Sequence, residues 1–257
     1  MVKLATPVSH LFENKEWAKK IFDHSDVLEC RDRSYKNNFG YQELFHSDFQ
    51  PIHRLPDNFF KYLEKIKKSK VNLKLISFHM ASSCDKPKIE NGMFQPGGKN
   101  YSREELQKNA SVNFKIIRNI FGPDVKIAVE NNNYYPTLAY QFITEADFIN
   151  DILLDNDLFL LFDIAHAKVT CHNLKIDYFD YRNKIFLDRA IQLHVCKPMI
   201  SEGVFYDAHE LPDSEILDEL KFLIQSFSNI NYVTLEYYKN INLLLKELKK
   251  IRSLVEV

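Results

Sequence analysis

Histidines and carboxylates recur along this chain at the ends of short apolar stretches. The segment "LLFDIAH" begins as a run of core-type residues and then presents Asp163 and, three positions later, His166. Similar stretches end in "SFHM", "AVEN", "QLHV" and "TLEY", and the segment "YDAHEL" adds an aspartate and a histidine. Carboxylates and imidazoles are the groups with which proteins bind metal ions and move protons. The repetition therefore indicates a reaction centre or a metal site.

The number of acidic groups favours a metal site. A buried carboxylate is costly unless it is paired or bound to a cation, and several carboxylates in one place repel each other. The sequence shows no matching arginine or lysine at neighbouring strand ends, so we expect divalent cations held by carboxylates and imidazoles. The predicted metal ligands are His79, Glu130, Asp163, His166, His194, Asp207, His209 and Glu236.

The elements that must position these residues alternate between strands and helices. Seven apolar segments are typical of buried strands, and they begin at Lys3, Val27, Leu73, Val125, Leu158, Ala190 and Tyr232. Alternation of this kind predicts a parallel sheet covered by helices, and its regularity over the whole chain predicts a single-domain (β/α)8 TIM barrel, residues 1–257. The eighth strand is expected to be irregular or missing. Segments 34–56 and 82–101 are expected to be long loops over the active face.

Composition and motifs exclude several classes of protein. The chain lacks the glycine-rich phosphate-binding motifs of nucleotide folds, and its net charge of −1 gives no reason to expect a nucleic-acid partner. No apolar run approaches membrane-spanning length or resembles a signal peptide. The four cysteines form no C-x-x-C pair, which predicts free thiols and a cytoplasmic protein. Cys196 shares strand parity with His194 and so has a route into the site, but we expect it to be a buried structural thiol.

The ordered ligand set resembles that of the xylose-isomerase-like TIM-barrel superfamily. More narrowly, the segments "AVENNNYY", "ITEADFIN", "LLFDIAHAKVTCHN", "QLHV" and "DAHELP" look like those of the multinuclear non-haem iron-dependent oxidative enzymes. That family includes the methanobactin biosynthesis enzyme. The resemblance covers the chain from Leu73 to the C-terminus, and the segment before it matches only loosely.

The resemblance implies an oxidoreductase that uses two or three iron ions and dioxygen to modify cysteine or nearby residues of ribosomally made peptides. A partner protein often presents the peptide in that family. Zinc and manganese are the alternative metals. Carried over by motif, the catalytic residues that hold the central iron are Glu130, Asp163, His194 and Glu236. A second iron would be held by His166, Asp207 and His209, and His79 with a bridging Glu130 would hold part of another.

This chain departs from the family pattern in two places. Many members have asparagine at the position of His166. Members usually supply a further histidine from a strand between those carrying His79 and Glu130, and this interval contains no histidine here. We therefore expect one deletion to account for both the missing strand and the missing ligand, with His10, His46 or His53 as its replacement or that metal position empty.

Two other enzyme classes share this ligand chemistry. A metal-dependent sugar isomerase or epimerase of the same superfamily would use Glu130 and Glu236 as an acid–base pair. An endonuclease IV-like phosphodiesterase has a similar trinuclear ligand set, but it needs a basic stripe to neutralise phosphates, which the sequence lacks.

Overall fold

A closed barrel of eight parallel strands forms the centre of the protein, as the sequence predicts. The computed structural model describes residues 1–34, 36–37 and 39–256. In chain order, the strands of the described part are β1 (Lys3–Pro7), β2 (Val27–Arg31), β3 (Gln42–Ser47), β4 (Leu75–Phe78), β5 (Lys88–Glu90), β6 (Met93–Gln95), β7 (Lys126–Glu130), β8 (Phe159–Asp163), β9 (Ala190–Val195), β10 (Lys197–Ser201), β11 (Val204–Glu210) and β12 (Tyr232–Leu235). The barrel order is β1-β2-β3-β4-β7-β8-β9-β12, and β12 pairs with β1.

Helices cover the outside of this barrel. They are α1 (Lys15–Phe22), α2 (Asp57–Ser69), α3 (Arg103–Phe121), α4 (Ala146–Asp155), α5 (Ile164–Leu174), α6 (Tyr178–Lys184), α7 (Ser214–Ser226) and α8 (Ile241–Val255). Local sequence fixes several of their first turns. Ser102 and Glu105 form a capping box at α3, and the Asn240 side chain accepts two backbone N–H groups at the start of α8. Within the described residues, no helix combines the length and apolar character needed to cross a membrane.

The expectation of an irregular or missing eighth strand is wrong. Strand β3 lies within segment 34–56, which was expected to be a loop, and it pairs in parallel with β2 and β4. Its sequence "QELFHS" contains only two apolar residues. Between β2 and β3, the described residues include the short 3-10 turn Asp32–Ser34 but no α-helix. The alternation of strand and helix therefore fails at this point of the sequence. Segment 82–101 is a long loop that contains the β5–β6 hairpin.

Side chains inside the barrel form an apolar layer beneath a polar one. The apolar layer includes Ala5, Val27, Leu44, Leu75, Ala128 and Leu161, all buried. Four of these residues are followed, two positions later on the same strand, by a histidine or a carboxylate. These following residues are Glu29, His46, Glu130 and Asp163. Because side chains of a strand alternate between its two faces, both layers face the barrel interior. The polar layer therefore lies at the carboxyl ends of the strands, where TIM barrels place their active sites.

Candidate metal centre

The carboxyl end of the barrel brings together all eight predicted ligands and adds His46 from β3. Strands β3, β7, β8, β9 and the residues just after β4 and β12 each contribute one side chain. The first turn of helix α5 contributes His166, and the β10–β11 hairpin contributes two more. These side chains fall into three groups of neighbouring donor atoms, which we call the outer, central and hairpin groups.

The outer group consists of His46, His79 and Glu130. The Nε2 atoms of the two imidazoles lie 2.5 Å apart, and each lies 3.5 Å from Glu130 Oε2. On its other side, His46 Nδ1 lies 2.8 Å from Ser77 Oγ, a hydrogen bond that fixes the orientation of the ring. Two imidazole nitrogens converge on one point beside a carboxylate, as two ligands of one cation do.

The central group consists of Glu130, Asp163, His194 and Glu236. His194 Nδ1 lies 3.1 Å from Glu130 Oε1, 3.5 Å from Glu236 Oε1 and 3.8 Å from Asp163 Oδ2. Asp163 Oδ1 accepts the backbone N–H of His166 and so caps helix α5. Its other oxygen and His194 Nδ1 are buried and have no hydrogen-bond partner among the described residues. Buried polar atoms are normally paired, so these two point to a ligand between them.

The hairpin group consists of His166, Asp207, His209 and the second oxygen of Glu236. Asp207 Oδ2 lies 3.6 Å from His166 Nε2 and 3.2 Å from His209 Nε2, which itself lies 3.4 Å from Glu236 Oε2. His166 Nδ1 donates to the carbonyl oxygen of Asn131 at 2.9 Å, so its Nε2 is the nitrogen left for a ligand.

The β10–β11 hairpin is distorted at the positions that carry these ligands. Lys197 pairs with Glu210 but Met199 pairs with Tyr206, so β11 has two extra residues between the paired positions. Within this bulge His209 adopts φ 46°, a left-handed conformation that side chains other than glycine rarely adopt. Bulges and strained residues of this kind occur beside active sites, where they direct a side chain inward.

Two residues of the site were not predicted, namely Glu29 and Arg31 of strand β2. Glu29 Oε2 accepts from His194 Nε2 at 2.9 Å, which leaves Nδ1 of that imidazole for the central group. Arg31 Nη2 donates to Glu29 Oε1 at 2.7 Å and also contacts Glu236 Oε1. The expectation that no arginine lies near the carboxylates is therefore wrong. The missed signal is the "VLECRD" segment, in which Glu29 follows Val27 by two positions as in the other strands.

Burial and mutual charge set the protonation of the cluster. Burial raises the pKa of Asp163 to about 7, and the nearby carboxylates add to that rise. Burial also disfavours ionised Glu130, but imidazoles led by that of His46 overcome it and hold the pKa well below its usual value. Burial opposes the charge of His166 and His194, yet the surrounding carboxylates raise the pKa of both imidazoles well above the usual value. The protein thus balances its carboxylates with protons and with Arg31.

The donor set fits metal ions. A single cation with bonds of about 2.0–2.3 Å holds its ligand atoms at most about 4.6 Å apart, and the donor distances given above for the three groups meet this limit. Donor atoms from all three groups belong to clusters of histidine, acidic and cysteine residues whose atoms lie within 4.8 Å of one another. Glu130 and Glu236 each offer one oxygen to the central group and the other to a neighbouring group. Imidazole with carboxylate suits iron, zinc and manganese.

The structure corrects the expectation about the missing histidine. His46 completes the outer group from strand β3, which precedes β4 in the barrel, so no deletion has removed a strand or this ligand. His53 lies elsewhere, with its Nε2 2.7 Å from the carbonyl oxygen of Ser82 and its ring stacked on Tyr101. His10 is exposed and lines a surface cavity.

That cavity has a volume of about 970 Å³ and adjoins the metal-ligand cluster. Arg31 and Tyr238 line it, and both contact Glu236 Oε1, with the tyrosine hydroxyl at 3.3 Å. Arg33 and Phe39 also line it and contribute a positive charge and an apolar surface. The cavity is large enough for a small molecule or several residues of a peptide.

Comparisons with known proteins agree with this architecture. Residues 54–256 match the model of the family described as "RiPP precursor modification enzyme MbnB/TglH/ChrH". A UPF0276 protein of Acaryochloris marina (strain MBIC 11017) is 28% identical over 87 residues, 34% of this chain and 32% of the relative. A UPF0276 protein of Caulobacter vibrioides is 26% identical over 86 residues, 34% of this chain and 31% of the relative. The matched part thus spans about a third of the length of these curated relatives.

Solved structures show the same fold. The 3-keto-D-glucoside 4-epimerase of E. coli has a TM-score of 0.64 at 15% identity, and the match covers 98% of this chain and 100% of that chain. Endonuclease IV from Thermus thermophilus has a TM-score of 0.58 at 12% identity, and the match covers 99% of both chains. At these identities the likeness concerns the fold alone, and it confirms the predicted xylose-isomerase-like TIM barrel.

Proposed function

We propose that this chain, which belongs to the family of RiPP precursor modification enzymes MbnB/TglH/ChrH, is an iron-dependent oxidative enzyme. Its substrates would be dioxygen and a cysteine-containing peptide made by the ribosome, which a partner protein would present. RiPP denotes a ribosomally synthesised and post-translationally modified peptide. Membership of this family confirms the resemblance seen in the motifs of the sequence.

The observation that carries the proposal is the sharing of Glu130 and Glu236 among three donor groups. Each carboxylate directs its two oxygens to two different groups, at 3.1–3.5 Å from imidazole nitrogens of both. This arrangement supports two or three cations bridged by carboxylates. A site for one structural cation would need only one closed set of four ligands.

The residues of the chain would hold and orient this centre. The outer cation would be held by His46, His79 and Glu130, the central one by Glu130, Asp163, His194 and Glu236, and the hairpin one by His166, Asp207, His209 and Glu236. Iron, when bound, would supply redox chemistry and an open coordination position for the thiolate of the substrate. Glu29 holds the His194 ring with Nδ1 toward the centre, and Arg31 holds the carboxylates of Glu29 and Glu236 in place.

The cavity beside Glu236 is the proposed approach for the peptide. Arg31 and Tyr238 line it and contact Glu236 of the central group, and Arg33 lines it as well. An Arg33→Ala variant should therefore raise KM for the peptide and leave the iron content unchanged, because Arg33 contacts none of the three donor groups. Loss of iron in this variant would contradict the assignment.

Elemental analysis of the purified protein tests the proposal. We expect iron in the wild-type protein, and we expect both iron and activity to be lost in Asp163→Ala and His194→Ala. His24→Ala is the matched control and should retain both, because the His24 imidazole lies on the surface and bonds the carbonyl oxygen of Lys20. Protein that contains only zinc and remains fully active would refute the proposal.

A sugar epimerase is the alternative, since solved structures of similar fold include such enzymes. In that mechanism Glu130 and Glu236 would each transfer a proton, which requires an oxygen that is free of metal. The sharing of both their oxygens among the donor groups argues against it. Visible absorption distinguishes the two functions, because a ferric multinuclear centre is coloured and a magnesium or manganese epimerase is not.

A further inference from the structure

We propose that Cys196 is a further ligand of the hairpin group, which binds a divalent cation through its thiolate together with His209 and Glu236. The proposal rests on the metal centre proposed above and adds a sulfur donor to a ligand set otherwise made of nitrogen and oxygen.

The position of Cys196 in the chain directs it into the cluster. It follows strand β9 directly and lies two residues after His194, so both side chains point to the same side of the extended chain. Its side chain is fully buried. The sulfur atom lies 3.5 Å from Asp207 Oδ1. It also forms a group with one donor atom of His209 and one of Glu236, in which all three atoms lie within 4.8 Å of one another.

The other cysteines provide a contrast within the same chain. Cys30 Sγ donates to the carbonyl oxygen of Ser34 at 3.9 Å, and Cys84 Sγ lies 3.1 Å from Ser82 Oγ. Among the described residues, Cys196 is the one cysteine that shares a potential metal-binding group with a histidine and a carboxylate. A thiol used only for packing would need no such neighbours.

The neighbouring atoms supply an independent indication of a ligand. His194 Nδ1 and Asp163 Oδ2 are fully buried without a hydrogen-bond partner in the described part of the chain. Both belong to the central group, which shares Glu236 with the hairpin group. The cluster that Cys196 adjoins therefore contains buried polar atoms that no hydrogen bond occupies and that are left for a ligand.

Coordination by Cys196 has a consequence for the choice of metal. The thiol loses its proton to solvent when a cation binds, and the resulting thiolate is a soft ligand. Soft sulfur donors favour zinc, cobalt and iron over magnesium and calcium, which prefer oxygen. The hairpin group would therefore reject the hard cations that an oxygen-rich site accepts.

Cobalt substitution tests the inference. The full-length protein, with its metals exchanged for Co²⁺, should show a sulfur-to-cobalt charge-transfer band in the near ultraviolet. Cys196→Ser should lose the band and bind the corresponding Co²⁺ at least about tenfold more weakly. Cys171→Ser is the control, because this buried thiol lies in helix α5 outside the donor groups and should keep both properties.

The outcomes separate this inference from the proposed function. Cobalt binding without a sulfur band, or a band that persists in Cys196→Ser, would overturn the role of Cys196 and leave the metal centre intact. Failure of the wild-type protein to bind cobalt at all would overturn both. Sulfur K-edge absorption of the cobalt-loaded wild-type protein reports the same bond without a substitution, so poor folding of the variant would not obscure the result.

Discussion

Replacing Asp163 by asparagine should stabilise the metal-free protein while it weakens metal binding. Asp163 is fully buried, and its Oδ2 faces the central group without a partner among the described residues. Asparagine has the same shape, and its side-chain oxygen can still accept the backbone N–H of His166, which preserves the cap of helix α5. Its amide group is neutral, so the cost of burying a third negative charge beside Glu130 and Glu236 disappears.

The pKa of Asp163 sets the magnitude. Burial raises this pKa from 3.8 to about 7, which corresponds to about 4 kcal/mol at 1.36 kcal/mol per unit. A carboxyl group with a raised pKa contributes its stability below the unfolded-state value, and that stability is lost as the pH rises through the folded-state value. The advantage of Asp163→Asn should therefore reach about 4 kcal/mol above pH 7, and it should be about 2 kcal/mol smaller at about pH 5.5.

Urea denaturation of chelator-treated protein at these two pH values measures the effect. Asp207→Asn is the matched control with the opposite sign. Burial disfavours ionised Asp207, but the imidazoles of His166 and His209 outweigh burial and lower its pKa. Its charge therefore stabilises the folded state, and its removal should destabilise the metal-free protein.

Metal ions should remove the advantage of the Asp163→Asn variant. A cation at about 1,000 times its Kd adds about 4.1 kcal/mol of stability at one site, and only the wild-type protein has the complete central group. If Asp163→Asn is less stable than wild type without metal, by the same amount at both pH values, the reasoning is refuted. Asp163 would then act only through its hydrogen bonds.

Three further predictions concern the surrounding residues. Arg31→Met leaves the buried carboxylates of Glu29 and Glu236 without their guanidinium, so urea denaturation should show the metal-free protein destabilised by about 3–5 kcal/mol. Glu29→Gln should weaken cation binding about 10–100-fold in calorimetry, because Glu29 orients the ring of His194, and an unchanged Kd would contradict this role. Cation binding should release protons, and it should become stronger from about pH 6 to 8. The reason is that His166 and His194 must lose the protons that their raised pKa values favour before they can bind a cation. Calorimetry in buffers of different ionisation enthalpy measures this proton release.

Much of the barrel could be predicted because its strands are mostly buried. Seven of the eight strands were recognisable as apolar segments, and alternation correctly assigned Glu130 to the inner face it shares with Ala128. The common end of parallel strands then brought distant histidines and carboxylates to one place without any knowledge of contacts. The prediction of the donor cluster thus depended on periodicity and topology alone.

The parts that were missed depend on pairing between strands. Strand β3 contains only two apolar residues, and its place is fixed by its hydrogen bonds to β2 and β4, which leave no pattern within its own sequence. His46 was therefore one of three candidates until the pairing of β3 was known. The role of Glu29 likewise requires its contact with His194, a residue 165 positions away in the chain.

The two layers of the barrel interior divide stability and function between them. The lower layer, which includes Leu44, Leu75 and Leu161, is apolar and buried, so it stabilises the barrel without any cation. The upper layer encloses carboxylates and imidazoles in the same interior, where their charges are costly unless protons, Arg31 or cations balance them. Because the two layers lie two residues apart on the same strands, the lower layer can hold the donors in position while the upper layer lacks its metal. Preorganisation of the donor atoms therefore has its physical basis in the apolar residues two positions before them.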